Sequence, residues 1–320
     1  MSKKAIQLRI IFMGTSDFAR DILAGLLEAH FNIIAVYTRP EKKSGHTQKQ
    51  NNSPVKELAI AGKIPVFQPD RFTKDKVGEL KQLKPDIIIV AAFGKILPES
   101  VLEIPGFGCL NVHTSLLPKF RGPSPIQNAL LNGEKKTGIT IILMDKGIDT
   151  GDILNQKTIP IENQDDSKTL YKKCSQEGIS ILLETIPLWI ERKIVPQKQD
   201  DSKASLCQLI EREDGKIIWE EEAENIYNKY KAFYLWPEIF CFWMNNDSLQ
   251  RIKLKKIILQ KYDPQTLYNP GEVFEVGDKI GVQTLKGVIV LEEIQLEGKA
   301  TMSIKDFLNG YPNFIGSVLK

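Results

Sequence analysis

The chain has 320 residues, 42% of them hydrophobic, and is therefore long enough to bury two modest cores. Its 43 basic and 40 acidic side chains leave a formal net charge of only +3, which excludes a uniformly basic surface as the basis of polyanion binding. The cysteines are far apart and form no C-x-x-C pair, which argues against a zinc site. We therefore expect no metal, and reduced thiols at Cys109, Cys174, Cys207 and Cys241.

Neither a leader nor a membrane span is predicted. The apolar run within residues 1–14 is too short for a signal peptide. The longest apolar run, residues 87–93, is far shorter than the roughly 20 residues that cross a bilayer. We expect a soluble, cytoplasmic protein that does not enter a membrane.

The first half of the chain alternates strands and helices. Leu8–Met13 is a short apolar run, and Asp17–Ala29 then carries apolar residues at helical spacing, which predicts a strand followed by a helix. Further strands are predicted at residues 32–38, 66, 86–92, 108–113, 138–144 and 153–161, and further helices at residues 54–61, 74–83, 124–131 and 168–190. This alternation predicts an α/β fold with a Rossmann-like, doubly wound parallel sheet.

The second half has a different pattern. Residues 195–205 are polar and without periodicity, which predicts a linker between a catalytic domain at residues 1–194 and a second domain at residues 206–320. Beyond it, short alternating runs predict strands at residues 239–244, 252–259, 271–276, 280–284 and 288–295. Five such strands favour a small OB-like β-barrel.

Two short motifs suggest other activities but lack the context that those activities need. Gly14 follows the first strand, but a dinucleotide fingerprint needs three glycines at fixed spacing, so a turn capped by Ser16 or Asp17 is favoured. Asp149-Thr150-Gly151 copies the triplet of aspartic proteases. A monomeric protease of that class needs two triplets, and this one lies in an α/β pattern, so we set that activity aside.

Two of the candidate catalytic residues lie at the end of the fifth predicted strand. Asn111 and His113 lie at positions i and i+2, so their side chains point to one face of the strand. Asp149 lies downstream on a glycine-flanked turn. An amide and an imidazole can donate hydrogen bonds to an oxyanion, and a carboxylate can fix the imidazole tautomer. Since Ser115 is not in a G-x-S-x-G elbow, direct transfer between two bound substrates is favoured over a covalent relay.

Motifs along nearly the whole chain resemble one family. They are RIIFMGTSDF at residues 9–18, SPVK at 53–56, IPVFQP at 64–69, AAFGKILP at 91–98, CLNVHTSLLPKFRGPSPIQ at 109–127, GIDTGD at 147–152 and KAFYLWP at 231–237. By these motifs the chain resembles the methionyl-tRNA formyltransferase family. The SLLP and GIDTGD elements are shared with the wider group of folate-dependent formyltransferases. The chain length and the second domain narrow the resemblance to the methionyl-tRNA formyltransferases.

The resemblance implies a reaction and a set of site residues. The formyl group of 10-formyltetrahydrofolate would pass to the α-amino group of methionyl-initiator tRNA. Asn111 and His113 would hold the formyl oxygen as it becomes an oxyanion, and Asp149 would orient His113 and help to manage the proton that leaves the attacking ammonium. Two loop segments would line the folate pocket with Phe93, Gly94, Ile96, Leu97, Ser115, Leu116, Leu117 and Pro118.

The chain departs from the family pattern at two positions. Thr114 replaces the usual glycine between the histidine and the serine, and we expect it to narrow the pocket entrance slightly. In the family, the loop after the second strand enters the acceptor end of tRNA and bears an arginine, and here that position aligns with His46. A neutral imidazole is a poorer phosphate partner than guanidinium. We therefore expect either that Lys42, Lys43 and Lys49 contribute to tRNA binding beside His46, or that tRNA recognition by this loop is looser.

In the second domain, Arg251, Lys253 and Lys255 alternate with apolar residues, which on a strand makes one cationic face for a tRNA backbone. An edge strand protected by lysines explains the same pattern equally well. Trp219, Trp236 and Trp243 are expected in the core rather than as stacking platforms.

Two other functions stay open. A formyltransferase acting on a nucleotide-sugar amine would need neither the basic loop nor the cationic strand. A folate- or RNA-binding protein without turnover would keep the pocket only. The expected partners are tRNA and a folate, bound by a monomer.

Overall fold

The computed structural model describes residues 7–41, 52–260 and 268–320. The chain divides into two compact units. Unit 1 contains the residues up to Ile126 together with Lys135–Ile161 and Leu170–Leu209, and unit 2 contains Gln127–Glu134, Glu162–Thr169 and Ile210–Lys320. The domain boundaries at residues 194 and 206 stay predictions.

Unit 1 is built on a seven-stranded sheet. Its strands, β1 to β7 in chain order, are Ile10–Gly14, Ile33–Tyr37, Val66–Phe67, Ile87–Ala91, Cys109–His113, Lys136–Leu143 and Asp152–Pro160. The spatial order is β3-β2-β1-β4-β5-β6-β7, and the pairs from β3 through β5 are parallel. The predicted Rossmann-like α/β fold is therefore confirmed. The expectation of a wholly parallel sheet is wrong for β6 and β7, which pair antiparallel with β5 and with each other.

Helices alternate with these strands along the chain. In the described part of the chain up to residue 190 they are Asp17–Glu28 (α1), Pro54–Ala61 (α2), Lys74–Gln82 (α3), Glu99–Leu102 (α4), Pro125–Leu131 (α5) and Ser167–Ile190 (α6). Ser16 accepts a hydrogen bond from the backbone N–H of Ala19, so it is the predicted cap of α1. Every residue of β1 and β4 is buried, as in a parallel sheet covered on both faces.

Unit 2 is an antiparallel β structure. Its strands, β8 to β13, are Phe240–Asn245, Ser248–Gln260, Val273–Val276, Lys279–Gln283, Val288–Leu296 and Met302–Ser303. The order is β10-β11-β12-β9-β8, with β13 beside β12. Two helices that the sequence did not predict, Ala223–Ala232 (α7) and Ile304–Gly310 (α8), accompany them.

Residues 316–320 join the two ends of the strand order in unit 2. The backbone N–H of Val273, on β10, donates to Ser317 O at 2.9 Å. Phe242, on β8, exchanges two backbone hydrogen bonds with Lys320, at 2.7 and 2.8 Å. This segment thus connects the two ends of the curled antiparallel sheet, which confirms the predicted OB-like fold of the domain.

The tryptophans of unit 2 divide into two groups. Trp219 and Trp243 are buried, and the Trp243 ring packs edge-on against Phe307 and Phe314, with centroids 5.8 and 5.2 Å apart. The expectation for Trp236 is wrong, because 53% of that residue is exposed.

None of the helices in the described ranges combines the length and apolar character that a membrane span requires.

Candidate active site

The sequence-predicted catalytic side chains meet in unit 1. Asn111 and His113 lie on β5, with Val112 between them turned to the other face of the sheet. The amide Nδ2 of Asn111 donates to Asp149 Oδ1 at 3.1 Å. The imidazole Nδ1 of His113 lies 3.6 Å from Asp149 Oδ2, within ion-pair range but beyond a normal hydrogen bond. His113 is only 6% exposed, so the pair is largely shielded from water.

A backbone carbonyl holds the other side of the imidazole. His113 Nε2 lies 3.0 Å from Phe120 O. Because a carbonyl oxygen can only accept, Nε2 carries a hydrogen in this arrangement. That N–H becomes available to a substrate oxygen only when the bond to Phe120 is exchanged. Of the two predicted oxyanion donors, Asn111 is therefore the one already in position.

A tight turn brings Asp149 back to β5. Since β6 is antiparallel, its last residue, Leu143, pairs with Leu110 near the start of β5, and residues 144–151 must return toward Asn111. Asp149 itself has φ +53°, a left-handed conformation that is uncommon for residues other than glycine. A Cβ at Gly151 would lie 1.9 Å from Leu143 O, so only glycine allows this return.

The second loop of the site, residues 114–122, also contacts Asp149. The backbone N–H of Gly122 donates to Asp149 Oδ2 at 2.9 Å. Together with the bond from Asn111, this gives each carboxylate oxygen a donor. The carboxylate is thus held in place by strand β5 on one side and by this loop on the other, and Thr114 at the start of the loop is buried.

Two polar residues of the β6–β7 hairpin hold the predicted folate segment 115–118. Thr140 Oγ1 donates to Ser115 O at 2.6 Å and accepts from the Leu117 N–H at 3.2 Å. Gln156 Nε2 donates to Leu117 O at 3.0 Å and to Thr140 Oγ1 at 2.8 Å. The sequence analysis did not identify this pair, although a polar Thr140 inside an apolar strand was a usable signal.

Within segment 115–118 the side chains differ in exposure. Ser115 and Leu117 are buried, and Ser115 Oγ donates to Lys119 O at 2.6 Å, which turns the hydroxyl into its own loop. Leu116 and Pro118 are partly exposed. We therefore expect Ser115 and Leu117 to shape the pocket through the backbone.

The other predicted folate segment follows β4, the parallel neighbour of β5. Phe93 and Leu97 are buried in the core of unit 1, whereas Ile96 is 77% exposed. Gly94 has φ +71° and lies opposite Arg39, whose Nη1 would be 3.0 Å from an added Cβ. The carboxyl ends of adjacent parallel strands share one edge of the sheet, so both folate segments start from the edge where Asn111 and His113 lie.

Two buried side chains that the sequence analysis missed connect the Asp149 turn with the loop at residues 114–122. Arg121 and Gln199 are each 6% exposed. The Arg121 guanidinium donates to Gln199 Oε1 from Nε at 3.0 Å and from Nη2 at 2.9 Å, and Nη2 also donates to Asp201 Oδ1 at 2.7 Å. Gln199 lies within the predicted linker, and this part of the chain therefore makes specific contacts within unit 1.

The predicted tRNA-binding residues fall into two groups. Lys42, Lys43, His46 and Lys49 lie outside the described residues. Arg251, Lys253 and Lys255 lie on β9, where the intervening Ile252 and Leu254 are buried, so the alternation is as predicted. Because β9 pairs with β8 on one side and β12 on the other, the alternative of a protected edge strand is excluded.

The cationic side chains of β9 have partners. Lys253 and Lys255 both form salt bridges with Glu238. Burial opposes ionisation of Glu238, but the hydrogen bonds from the two lysines outweigh it and hold its pKa below the ordinary value. The Arg251 guanidinium lies over the Phe240 ring, 3.5 Å from the centroid. Glu238 thus neutralises part of the charge that we assign to tRNA binding.

The four cysteines are buried free thiols. Within residues 7–41, 52–260 and 268–320, no three or more His, Cys, Asp or Glu side chains are grouped as metal ligands would be.

Comparisons with known proteins agree with this geometry. Residues 8–186 match the family model described as formyl transferase, and residues 209–312 match the model described as formyl transferase, C-terminal domain. The N-formyltransferase of Helicobacter canadensis, solved with folinic acid and dTDP-3-aminofucose, has a TM-score of 0.63 at 23% identity and covers 89% of this chain and 99% of its own. At that identity the likeness shows a common fold.

Curated relatives match over nearly the full length. Methionyl-tRNA formyltransferase of Caldicellulosiruptor saccharolyticus is 43% identical over 314 residues, which is 97% of this chain and 99% of that one. Methionyl-tRNA formyltransferase of Caldanaerobacter subterraneus is 40% identical over 315 residues, 98% of this chain and all of the relative. The resemblance read from the motifs is thereby confirmed. The chain belongs to the formyl transferase family and, within it, to the methionyl-tRNA formyltransferases.

Proposed function

We propose that this protein transfers the formyl group of 10-formyltetrahydrofolate to the α-amino group of methionyl-initiator tRNA, in the cytoplasm, for translation initiation. The observation that carries the proposal is the cluster of Asn111, His113 and Asp149 at the carboxyl end of β5. The names of the two relatives support methionyl-tRNA as the acceptor. Folinic acid, a formyl-bearing reduced folate, in the Helicobacter canadensis structure supports a folate donor.

In this mechanism Asn111 is the first oxyanion donor. A side-chain amide has two N–H groups, and the bond to Asp149 uses one of them. The second can donate to the formyl oxygen as negative charge develops there. Because Asp149 fixes the amide in advance, little reorganisation is needed in the transition state. His113 adds a second donor when its N–H leaves Phe120.

The transfer removes two protons from the acceptor nitrogen, one before it attacks and one as the intermediate collapses, and one proton is returned to N10 of the folate. The α-amino nitrogen, freed of its extra proton, adds to the formyl carbon, and the carbonyl electron pair moves onto oxygen. The tetrahedral intermediate collapses when the bond from carbon to N10 of the folate breaks, and N10 takes up a proton. We assign Asp149 to orient His113 and to manage the proton that the ammonium gives up, because its carboxylate lies beside the imidazole.

We assign the folate to segments 93–97 and 115–118. We assign tRNA contacts to Arg251, Lys253 and Lys255, and to the four basic-loop positions outside the described residues. The catalytic side chains come from one chain, so we expect a monomer to be active.

An acceptor assay tests the proposal. The purified protein is incubated with 10-formyltetrahydrofolate and either methionyl-initiator tRNA or a nucleotide-linked amino sugar. We expect formylation of the tRNA only. Transfer to the sugar alone would make the protein a formyltransferase that acts on a nucleotide-sugar amine. The fold shared with the Helicobacter canadensis enzyme makes this second function worth testing. Transfer to neither acceptor would overturn both.

Matched histidine variants identify the site in the same assay. His113→Asn removes the buried imidazole, whereas His30→Asn changes an exposed histidine whose positive φ asparagine tolerates. We expect only the first variant to lose transfer. Equal activity of the two variants would remove His113 from the mechanism.

A further inference from the structure

We infer that Gln199 is a positioning residue for formyl transfer and that it fixes the Asp149 turn relative to the loop carrying Phe120 and Gly122. The inference rests on the proposed function and adds a residue to the same site. Its basis is the set of hydrogen bonds made by one buried carboxamide, in a polar part of the chain that sequence patterns predicted as a linker.

Every hydrogen-bonding position of the Gln199 carboxamide is used. Its Nε2 donates to Asp149 O and to Gly151 O, both at 2.8 Å. Its Oε1 accepts the two bonds from Arg121. A primary amide has two N–H groups and two lone pairs, so these four bonds satisfy it completely. Gln199 is thus a bridge between the backbone of the Asp149 turn and the side chain of Arg121.

Arg121 is in turn fixed by its neighbours. Its backbone N–H donates to Ser205 O at 2.8 Å, and its carbonyl accepts from the Cys207 N–H at 2.8 Å. Arg121 lies between Phe120, whose carbonyl holds His113 Nε2, and Gly122, whose N–H holds the Asp149 carboxylate. Gln199 therefore joins the two loops that hold the imidazole from opposite sides.

This connection controls distances at the reacting centre. Asp149 sits at φ +53°, and its carboxylate has donors of its own. Within the described part of the chain, Gln199 Nε2 ties its backbone carbonyl and that of Gly151 to another element. If the turn relaxes, the Asp149 carboxylate moves relative to both Asn111 and His113. A misplacement of about 1 Å at a reacting centre can lower the rate by about 100-fold.

The Gln199 bridge has two halves, the contact with Arg121 and the contacts with the carbonyls of Asp149 and Gly151. Two substitutions separate these halves. Gln199→Glu keeps an acceptor for Arg121 but places a carboxylate oxygen against the carbonyls of Asp149 and Gly151. Gln199→Met keeps the length and removes both halves. Gln197→Met is the matched control, because Gln197 is exposed and bonds to Ile153 through its backbone only.

The test measures kcat and KM for formyl transfer in these variants, each alone and combined with Asp149→Asn. We expect both Gln199 variants to lower kcat by about 10- to 100-fold with KM changed by less than about 3-fold, and Gln197→Met to match the wild type. In the Asp149→Asn background, Gln199→Met should lower kcat further by less than about 3-fold, since Gln199 acts through Asp149. An equal loss in both backgrounds would mark general destabilisation and overturn the inference, as would an unchanged kcat.

A second readout does not depend on activity. The chain has three histidines, so the ring signals of His113 can be assigned in NMR spectra by comparison with His113→Asn. We expect Gln199→Met to move the His113 signals and to leave those of His30 in place. Unchanged His113 signals would overturn the inference even if the wild type formylated another acceptor. A wild type without any transfer would overturn the proposed function instead.

Discussion

The amide nitrogen of Asn111 lies 3.1 Å from a carboxylate oxygen of Asp149, and this contact aims the amide before any substrate binds. We predict that Asn111→Ala lowers kcat by about 10²–10³-fold with a smaller change in KM, because the lost donor acts mainly on the transition state. Steady-state kinetics on the folded variant test this. Asn132→Ala, which removes a bond from an exposed side chain to the backbone of Asn128, is the control. Normal turnover in Asn111→Ala would end the role assigned to this amide.

Glu238 forms salt bridges with two of the lysines that we assign to tRNA binding. We predict that Glu238→Gln tightens tRNA binding, because Lys253 and Lys255 lose a competing carboxylate. If both lysines then reach phosphates, the slope of log K against log salt should steepen by up to about 1.8. Titrations at several salt concentrations measure it, with Glu275→Gln, an exposed glutamate on β10, as the control. Weaker binding in Glu238→Gln would show that the pair supports the barrel and does not restrain the lysines.

Thr140 stabilises the loop that we assign to the folate. Thr140→Val leaves the Leu117 N–H without that acceptor and the Ser115 carbonyl without that donor, so we predict a loss of about 1–3 kcal/mol in the free energy of unfolding and a higher KM for the folate. Thr137→Val on the same strand is the matched control. Its buried hydroxyl has no hydrogen-bond partner among the residues that the structure describes, so that change should be neutral or stabilising. Equal effects of the two changes on urea unfolding would contradict the prediction.

The buried thiols predict how stability depends on pH. Burial raises the pKa of Cys241 to about 12, from an ordinary value of 9.0. Above pH 9 the unfolded chain loses a proton that the folded chain retains, so the stabilisation is complete below pH 9 and is lost as pH rises toward 12. The expected slope is about 1.4 kcal/mol per pH unit for this thiol. The free energy of unfolding, measured with urea at pH 8, 9 and 10, should fall less steeply with pH in Cys241→Ala than in the wild type. Parallel curves would show that Cys241 does not cause the loss of stability.

Much of the fold could be predicted because its signals are local. The strand Ile87–Ala91 is a continuous apolar run, which is typical of a strand covered on both faces, and α2 was predicted with the bounds that the structure gives it. The direction of β6 was not predictable, since periodicity is the same in parallel and antiparallel strands. Helix α7 was missed because only a few of its ten residues face the core.

Within the site, whether a residue could be predicted depends on how far its partners lie from it along the chain. Asn111 and His113 could be predicted because their spacing on one strand is itself the signal. Gln199 could not, since its partners are backbone carbonyls 48 and 50 residues away and its neighbours in sequence are polar. Glu238 was missed for the same reason: the lysines that it pairs with are 15 and 17 residues further on. Contacts of this range leave no periodic pattern.

The turn between β6 and β7 places a firmly held residue next to an exposed one. Asp149 is anchored by its backbone and by its carboxylate, whereas the residue before it, Ile148, is 59% exposed. Mutations at such an exposed site can accumulate without disturbing Asn111 or His113 on the rigid strand. The turn can therefore vary in sequence at Ile148 while Asn111, His113 and Asp149 keep the contacts that hold them together.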